Sequence, residues 1–245
     1  MRTVRIHVDQ PLKPGLEVAL PPRAAGHVAR VLRLRISDAL VLFNGDGNDY
    51  PCELTEAGER AVHARVLAAQ AVASESPLRI TLAQALARGE KMDWIVQKAT
   101  ELGAADIVPL VTERSEVKLD GARADKRVEH WRGVAIGACE QSGRARIPEI
   151  HAPETVPAWL QTLGSSNAEM RLALLPQGEL VPRALGRIES EVLLAVGPEG
   201  GFGESDLALL RDAGFRGLTL GPRVLRTETA GPAAIAALQA LYGDG

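Results

Sequence analysis

Between Gly197 and Gly203 the chain reads GPEGGFG, four glycines in seven residues, between an apolar run and the amphipathic stretch ESDLALLRDAGF. Glycine loses more conformational freedom on folding than any other residue, so this density implies a need for bare backbone. Two further apolar runs end in comparable turns, Leu174-Leu175-Pro176-Gln177 and Leu220-Gly221-Pro222-Arg223. Open parallel sheets bind ligands at the carboxyl ends of their strands. Three such turns side by side form a pocket rimmed by main-chain amides and carbonyls. In this reading the glycines clear room for a flat ligand and the prolines stiffen the loops. The competing reading is that GPEGG is only a tight turn with a helix cap.

Spacing narrows the ligand. A Walker loop needs GxxxxGK[ST], and the chain has no Gly-Lys pair. The dinucleotide fingerprint GxGxxG fails at Asp206 when started from Gly201 and at Tyr50 when started from Gly45. Cys52 and Cys139 are isolated and form no CxxC, which points to neither a disulfide framework nor a zinc site. His7, His27, His63, His130 and His151 show no metal spacing, so no metal is expected. Net charge is −3, yet residues 1–35 carry net +5, from Arg2, Arg5, Lys13, Arg23, Arg30, Arg33 and Arg35 against Asp9 and Glu17. Arginine's planar fork suits phosphate; a merely solvated basic face is the alternative.

The elements that must position these residues fall into two patterns. Residues 1–70 read as short strands: RTVRIHV, ALVLFN and AVHARVLAA, with Asn44–Asn48 as a hairpin-type turn. AAGHVARVLRL (24–34) has helical spacing, with Val28, Val31, Leu32 and Leu34 on one side. Ser74-Glu75-Ser76-Pro77 marks a break, giving domains 1–73 and 74–245. After it, strands alternate with helices: LRITLAQAL, KMDWIVQKATELG, ADIVPLVT, DKRVEHWRGVAIGACEQSG, MRLALLP, EVLLAVGP, FRGLTLGP and TETAGPAAIAALQALYG. That alternation implies an α/β fold with a parallel sheet. Trp94, Trp131 and Trp159 are expected to pack. No apolar run reaches the roughly 20 residues of a bilayer span, and the N-terminus lacks the apolar core of a signal peptide; a cytoplasmic protein is expected.

GPEGGFGESDL (197–207) followed by LGPRVLRTETA (220–230) resembles the signature of the RsmE family, bacterial enzymes that methylate N3 of a uridine in 16S ribosomal RNA. HVARVLRL (27–34), RGEKMDWIVQKATELG (88–103), Glu113-Arg114-Ser115 and ACEQSGRARIPEI (138–150) extend the resemblance over nearly the whole chain. It implies a SPOUT-type parallel sheet with a C-terminal trefoil knot, a PUA-like N-terminal β-barrel for RNA, and S-adenosylmethionine as methyl donor. It also implies a homodimer, and 16S ribosomal RNA or the small ribosomal subunit as substrate. The chain departs from the family pattern at Ala230-Gly231-Pro232; Pro232 is tolerable if it falls in the first helical turn.

The resemblance assigns cofactor contacts to Leu174, Leu175, Pro176, Gly197, Pro198, Glu199, Gly200, Gly201, Leu220, Gly221, Val224, Leu225 and Arg226. Methylating N3 of uracil requires removing its proton or stabilising the resulting anion. Arg226, with Arg223, is expected to face the anion, and Glu228 or a water to take the proton. An Arg226–Glu228 ion pair pinning the last helix is the alternative. Thr227 and Thr229 suit helix capping, and Glu199 is able to fix its own loop by accepting N–H bonds. RNA contacts are expected from Arg5, Arg23, Arg30, Arg33, Arg88, Lys91 and Arg144, with Arg146 on the same track. The competing class is a nonenzymatic RNA-binding or assembly protein; a small-molecule methyltransferase is a third reading.

Overall fold

A computed structural model describes residues 4–58, 61–117, 121–163, 168, 170–188 and 190–245. Arg2 lies outside them. The chain divides into two compact units, one of residues 1–75 with 139–147, the other of 76–138 with 148–245. The sequence break after residue 73 separates the two patterns, but it leaves residues 139–147 with the second domain, whereas in the structure they pack with the first.

The first unit contains β1 (Arg5–His7), β2 (Glu17–Ala19), β3 (Ala39–Phe43), β4 (Asn48–Ala57), β5 (Val62–Val66) and β6 (Gln70–Ala71), in the order β1-β3-β4-β5-β2 with β6 on β4. Alternation does the folding here. Tyr50, Cys52 and Leu54 of β4, and Val62, Ala64 and Val66 of β5, point into one core while their neighbours face out. The Asn44–Asn48 turn joins β3 to β4 with Gly45 and Gly47 at φ +90° and +97°. A Cβ on Gly47 would sit 2.8 Å from the Arg146 guanidinium, because residues 139–147 lie against this turn.

The helical stripe at 24–34 is a correction. Pro22–Gly26 forms a short helix, α1, and His27–Leu32 continues as a π-helical turn ending at Arg33 with φ +53°. The wider turn breaks the 3.6-residue period. Val28 is buried, whereas Val31 and Leu32 are exposed.

The second unit holds β7 (Arg79–Ala85), β8 (Ala104–Val111), β9 (Glu149–Ile150), β10 (Glu154–Thr155), β11 (Met170–Leu174), β12 (Glu191–Val196) and β13 (Arg216–Leu218). The order is β10-β8-β7-β12-β11-β13, all parallel, with β9 also on β8. Parallel strands covered on both faces read as continuous apolar runs. β7 and β12 do so: each is buried after its first residue. The helices are α2 (Lys91–Glu101), α3 (Gly121–Ser142), α4 (Val156–Leu163), α5 (Glu204–Asp212) and α6 (Thr227–Tyr242). Gly103, at φ +88°, terminates α2 as its sequence position suggests. The short β2, β6, β9 and β10, and the helix α4 with Pro157 near its start, have no counterpart in the sequence reading.

Pro232 is the sixth residue of α6, so it lies beyond the first turn expected for it. It has no N–H to give the Glu228 carbonyl four residues earlier. Gly231 has a packing reason: a Cβ there would come within 3.2 Å of Gln84 Oε1 on β7. Trp131 and Trp159 are buried, but Trp94 is 53% exposed, since the apolar face of α2 is carried by Met92, Ile95, Val96 and Ala99. Among the described residues no helix is long and apolar enough to cross a membrane.

Candidate active site

Parallel registry sets the site. Gln84, Val196, Leu174 and Leu218 lie in one row across β7, β12, β11 and β13. The three loops singled out in the sequence therefore leave neighbouring strands at or just beyond the same level. With the start of α6 they enclose a cavity of about 510 Å³, well within the roughly 300–1,000 Å³ of small-molecule sites.

The 197–203 loop is closed on itself. Gly201 N–H donates to the Pro198 carbonyl at 2.9 Å, with Gly201 at φ +70°. A Cβ on Gly197 would be 3.0 Å from the Phe202 nitrogen. On Gly203 it would meet the Glu113 carboxylate at 2.0 Å. Gly197 and Gly203 thus serve the chain's own tight turn and its neighbour Glu113, whereas a Cβ on Gly201 would meet nothing within 4 Å, and Gly200 and Gly201 line the cavity. Glu113 accepts from Ser205 Oγ and N–H. The Ser205 hydroxyl above all holds its carboxyl below the ordinary range. Arg114 donates to the Gly200 carbonyl at 2.9 Å. Asp206 accepts from the N–H groups of both Glu113 and Gly203, capping α5.

The 175–180 segment is stitched to β13 by Leu175 N–H to Leu218 O and Leu180 N–H to Gly217 O. Gly178 lies so close that a Cβ would be 2.6 Å from the Leu218 carbonyl carbon.

Buried Gln84 donates to Thr227 Oγ1 at 3.0 Å, and that hydroxyl donates to the Gly197 carbonyl at 2.7 Å. Thr227 therefore ties the last helix to the glycine loop rather than capping it: Arg226 occupies the cap position, with no side-chain cap bond. Glu199 accepts from Lys91 Nζ at 2.9 Å and from the Arg88 N–H at 3.1 Å. Burial pushes its carboxyl up, but these hydrogen bonds outweigh it and hold it below the ordinary range. The Glu199 bond in turn holds the Lys91 ammonium above the ordinary lysine range. Lys91 Nζ also lies 3.5 Å from Glu228 Oε2.

Arg226 and Glu228 do not pair with each other. Arg223 and Arg226 are exposed and line the cavity, and their guanidinium groups have no hydrogen-bond or ion-pair partner among the described residues. Of the residues expected at the cofactor, Leu174, Leu175, Pro176, Gly197, Pro198, Glu199, Gly200, Gly201, Leu220, Val224, Leu225 and Arg226 line the cavity, as does Glu228. Gly221 does not; at φ +118° it turns the loop. Lys91, Val196, Thr219, Thr227 and Ala230 complete the lining. Val196 and Thr219 adjoin loop residues already singled out; Lys91 has no local signal, because it reaches the cavity from a helix far away in sequence.

The expected RNA track divides. Arg23, Arg30 and Arg33 are exposed. Arg88 is exposed and pairs with Glu116. Lys91 belongs to the cavity. Arg5 and Arg144 are corrections: Arg144 is 4% exposed and forks onto Glu75, while Arg5 pairs with Asp49 and donates to the Arg144 carbonyl. Both are held by carboxylates within the first unit. Asp106, Glu149 and His151 bring their ligating atoms within 4.8 Å of one another, a grouping that sequence spacing does not reveal. Asp106 there is already paired with Arg79 and His151.

A family model described as an RNA methyltransferase domain matches residues 74–239, and one described as an RNA methyltransferase PUA domain matches residues 20–67. The chain is 33% identical over 243 residues to the ribosomal RNA small subunit methyltransferase E of Buchnera aphidicola, covering 99% of this chain and 98% of that protein. It is 36% identical over 218 residues to the protein of that name from Mycobacterium bovis, covering 88% and 83%. Among solved structures, a Legionella pneumophila methyltransferase with bound S-adenosylmethionine is 40% identical, with a TM-score of 0.94 over 100% of both chains. The Neisseria gonorrhoeae ribosomal RNA small subunit methyltransferase E, bound to the same molecule, is 36% identical, with a TM-score of 0.91 over 99% of both.

Proposed function

The chain belongs to the RsmE family of RNA methyltransferases, and on that premise we propose that it methylates N3 of a uridine in 16S ribosomal RNA with S-adenosylmethionine as donor. The observation that carries this reading is the cavity itself. Its rim is main chain from two stitched loops. Leu174, Leu175, Leu220 and Leu225 offer apolar surface for an adenine ring. Two arginines with no protein partner stand on one wall. That combination fits an adenosyl ligand beside a base on which negative charge develops.

S-adenosylmethionine, when bound, supplies an electrophilic methyl group that the N3 electron pair takes as the carbon–sulfur pair stays with sulfur. The protein's own work is to position and to neutralise. Residues 174–176, 197–201, 220 and 224–226 hold the donor. Arg226, supported by Arg223, stabilises the uracil oxygens as N3 loses its proton, a role worth roughly a hundred- to a thousandfold for one such donor. Glu228 takes the N3 proton and returns it to solvent.

Arg23, Arg30, Arg33 and Arg88 meet phosphates, which position the RNA without reading its sequence, and the target base leaves its stack to enter the cavity. In this reading the segment before α6 is threaded as a trefoil knot, and two copies form a homodimer, giving twice the chain mass in sedimentation.

The test is nucleoside mapping of 16S ribosomal RNA from cells lacking the protein. The proposal expects 3-methyluridine to disappear and to return when the gene is restored; its persistence overturns the assignment. Calorimetry with S-adenosylhomocysteine separates the nonenzymatic alternative, which predicts no binding heat up to millimolar ligand.

A further inference from the structure

Lys91 is the first residue of α2, and its ammonium lies between two carboxylates that belong to different parts of the cavity wall. It donates to Glu199 Oε1 on the glycine loop at 2.9 Å and stands 3.5 Å from Glu228 Oε2 in the first turn of α6. Glu228 Oε2 is buried and accepts no hydrogen bond. A buried carboxylate oxygen without a hydrogen bond is costly unless an opposite charge is near. Among the described residues the cation paired with it is Lys91. The two strand-end arginines on the same cavity make no such pair.

The division of labour follows from these partners. Free guanidinium groups at Arg223 and Arg226 are left to answer charge on the substrate, while the Lys91 ammonium in the cavity lining is committed to protein carboxylates. Glu199 anchors it on one side, since that carboxylate is itself fixed by the Arg88 N–H. The ammonium then orients Glu228 from the other.

We propose that Lys91 is a positioning residue for methyl transfer: it bridges Glu199 to Glu228 and so holds the Glu228 carboxylate where it takes the proton leaving uridine N3. This rests on the assignment of Glu228 as proton acceptor. It replaces the expectation that Lys91 contacts RNA phosphate.

The test is a double-mutant cycle on the full-length protein, read as single-turnover methylation of small ribosomal subunits from cells lacking it, at saturating S-adenosylmethionine. K91M is expected to lower the rate by about tenfold or more, as misplacing a catalytic group does, and to lower the melting temperature, since Glu228 loses its cation; rates are compared well below that melting temperature, with donor saturation checked by calorimetry. K91R, which keeps the bridge, recovers most of the rate. E228Q lowers the rate by about a hundredfold, the scale of a lost general base. In the E228Q background K91M changes the rate by less than about twofold, because the two act as a unit; in the E199Q background, where the anchor is loosened, K91M has a reduced effect that still exceeds about twofold.

Independent, multiplying losses from K91M and E228Q overturn the Lys91 inference while leaving Glu228 as acceptor. A K91M effect that vanishes with E199Q but persists with E228Q also overturns it, since the ammonium then serves only the loop. Wild-type turnover by E228Q overturns both.

Discussion

The loop after β12 and the loop after β13 border the same cavity and are built on opposite principles. In residues 197–203, Gly201 closes on Pro198, Gly200 is held by Arg114, Glu199 by Lys91 and Arg88, and Gly197 by Thr227. Residues 220–226 present Arg223 and Arg226 without partners and Val224 80% exposed. The first loop is a wall fixed in place by hydrogen bonds inside the protein. The second keeps its capacity for something the protein does not contain. Glycine density marks the first, a shaped wall, and unpaired guanidinium groups mark the second.

Substitutions can break this contrast, and the largest effect belongs to the free wall. R226A is expected to lower kcat by roughly a hundred- to a thousandfold while leaving the melting temperature within a degree or two, measured by methyl transfer and calorimetry. A comparable loss of stability would mean that Arg226 has a structural partner after all.

Next come the close approaches that hold the other walls. G178A places a Cβ 2.6 Å from backbone of β13, and overpacking of this kind costs about 1–3 kcal/mol. Chemical denaturation should report that loss, and weaker donor binding should accompany it. T227V removes the link between Gln84 and the Gly197 carbonyl. A lost hydrogen bond that strands a buried partner costs about 1–3 kcal/mol, so a similar fall is expected, with donor affinity reduced more than kcat.

The smallest effect is a pH dependence of the closed wall. Glu113 has its carboxyl held below its ordinary value of 4.5 by the Ser205 hydroxyl. Its stabilising contribution is therefore complete above that value and is lost as pH falls through the lower folded-state value. E113Q should lower stability at neutral pH by that contribution and change little at acid pH, so that the acid side of the stability curve flattens. An unchanged acid limb would show that the Glu113–Ser205 contact does not stabilise the loop.

The second unit is largely legible because its longer strands are apolar runs and two of them, β11 and β12, run into Pro or Gly at Leu174-Leu175-Pro176 and Val196-Gly197, while the short β9 and β10 and the helix α4 are not legible. Adjacency of the three strand ends follows from a parallel sheet, and the cavity residues on those ends follow with it. What escapes the sequence is long-range partnership. Arg144 and Arg30 look alike in one dimension, but Glu75 claims the first and leaves the second exposed. Lys91 reads as one more surface cation until Glu199 and Glu228 flank it. Residues 139–147 sit in the middle of the α/β pattern and pack with the first unit, a choice made by Arg5, Asn44–Asn48 and Glu75 rather than by any local signal. The apolar stripe at 24–34 misleads because a π-helical turn shifts its phase.

The most direct measurement is reconstitution: purified protein, S-adenosylmethionine with a labelled methyl group, and small ribosomal subunits from cells lacking the protein, followed by mass spectrometry of the 16S nucleosides. Label should appear in a single 3-methyluridine with the wild-type chain and be nearly absent with R226A. Label in another nucleoside, or none despite measurable donor binding, would contradict the account.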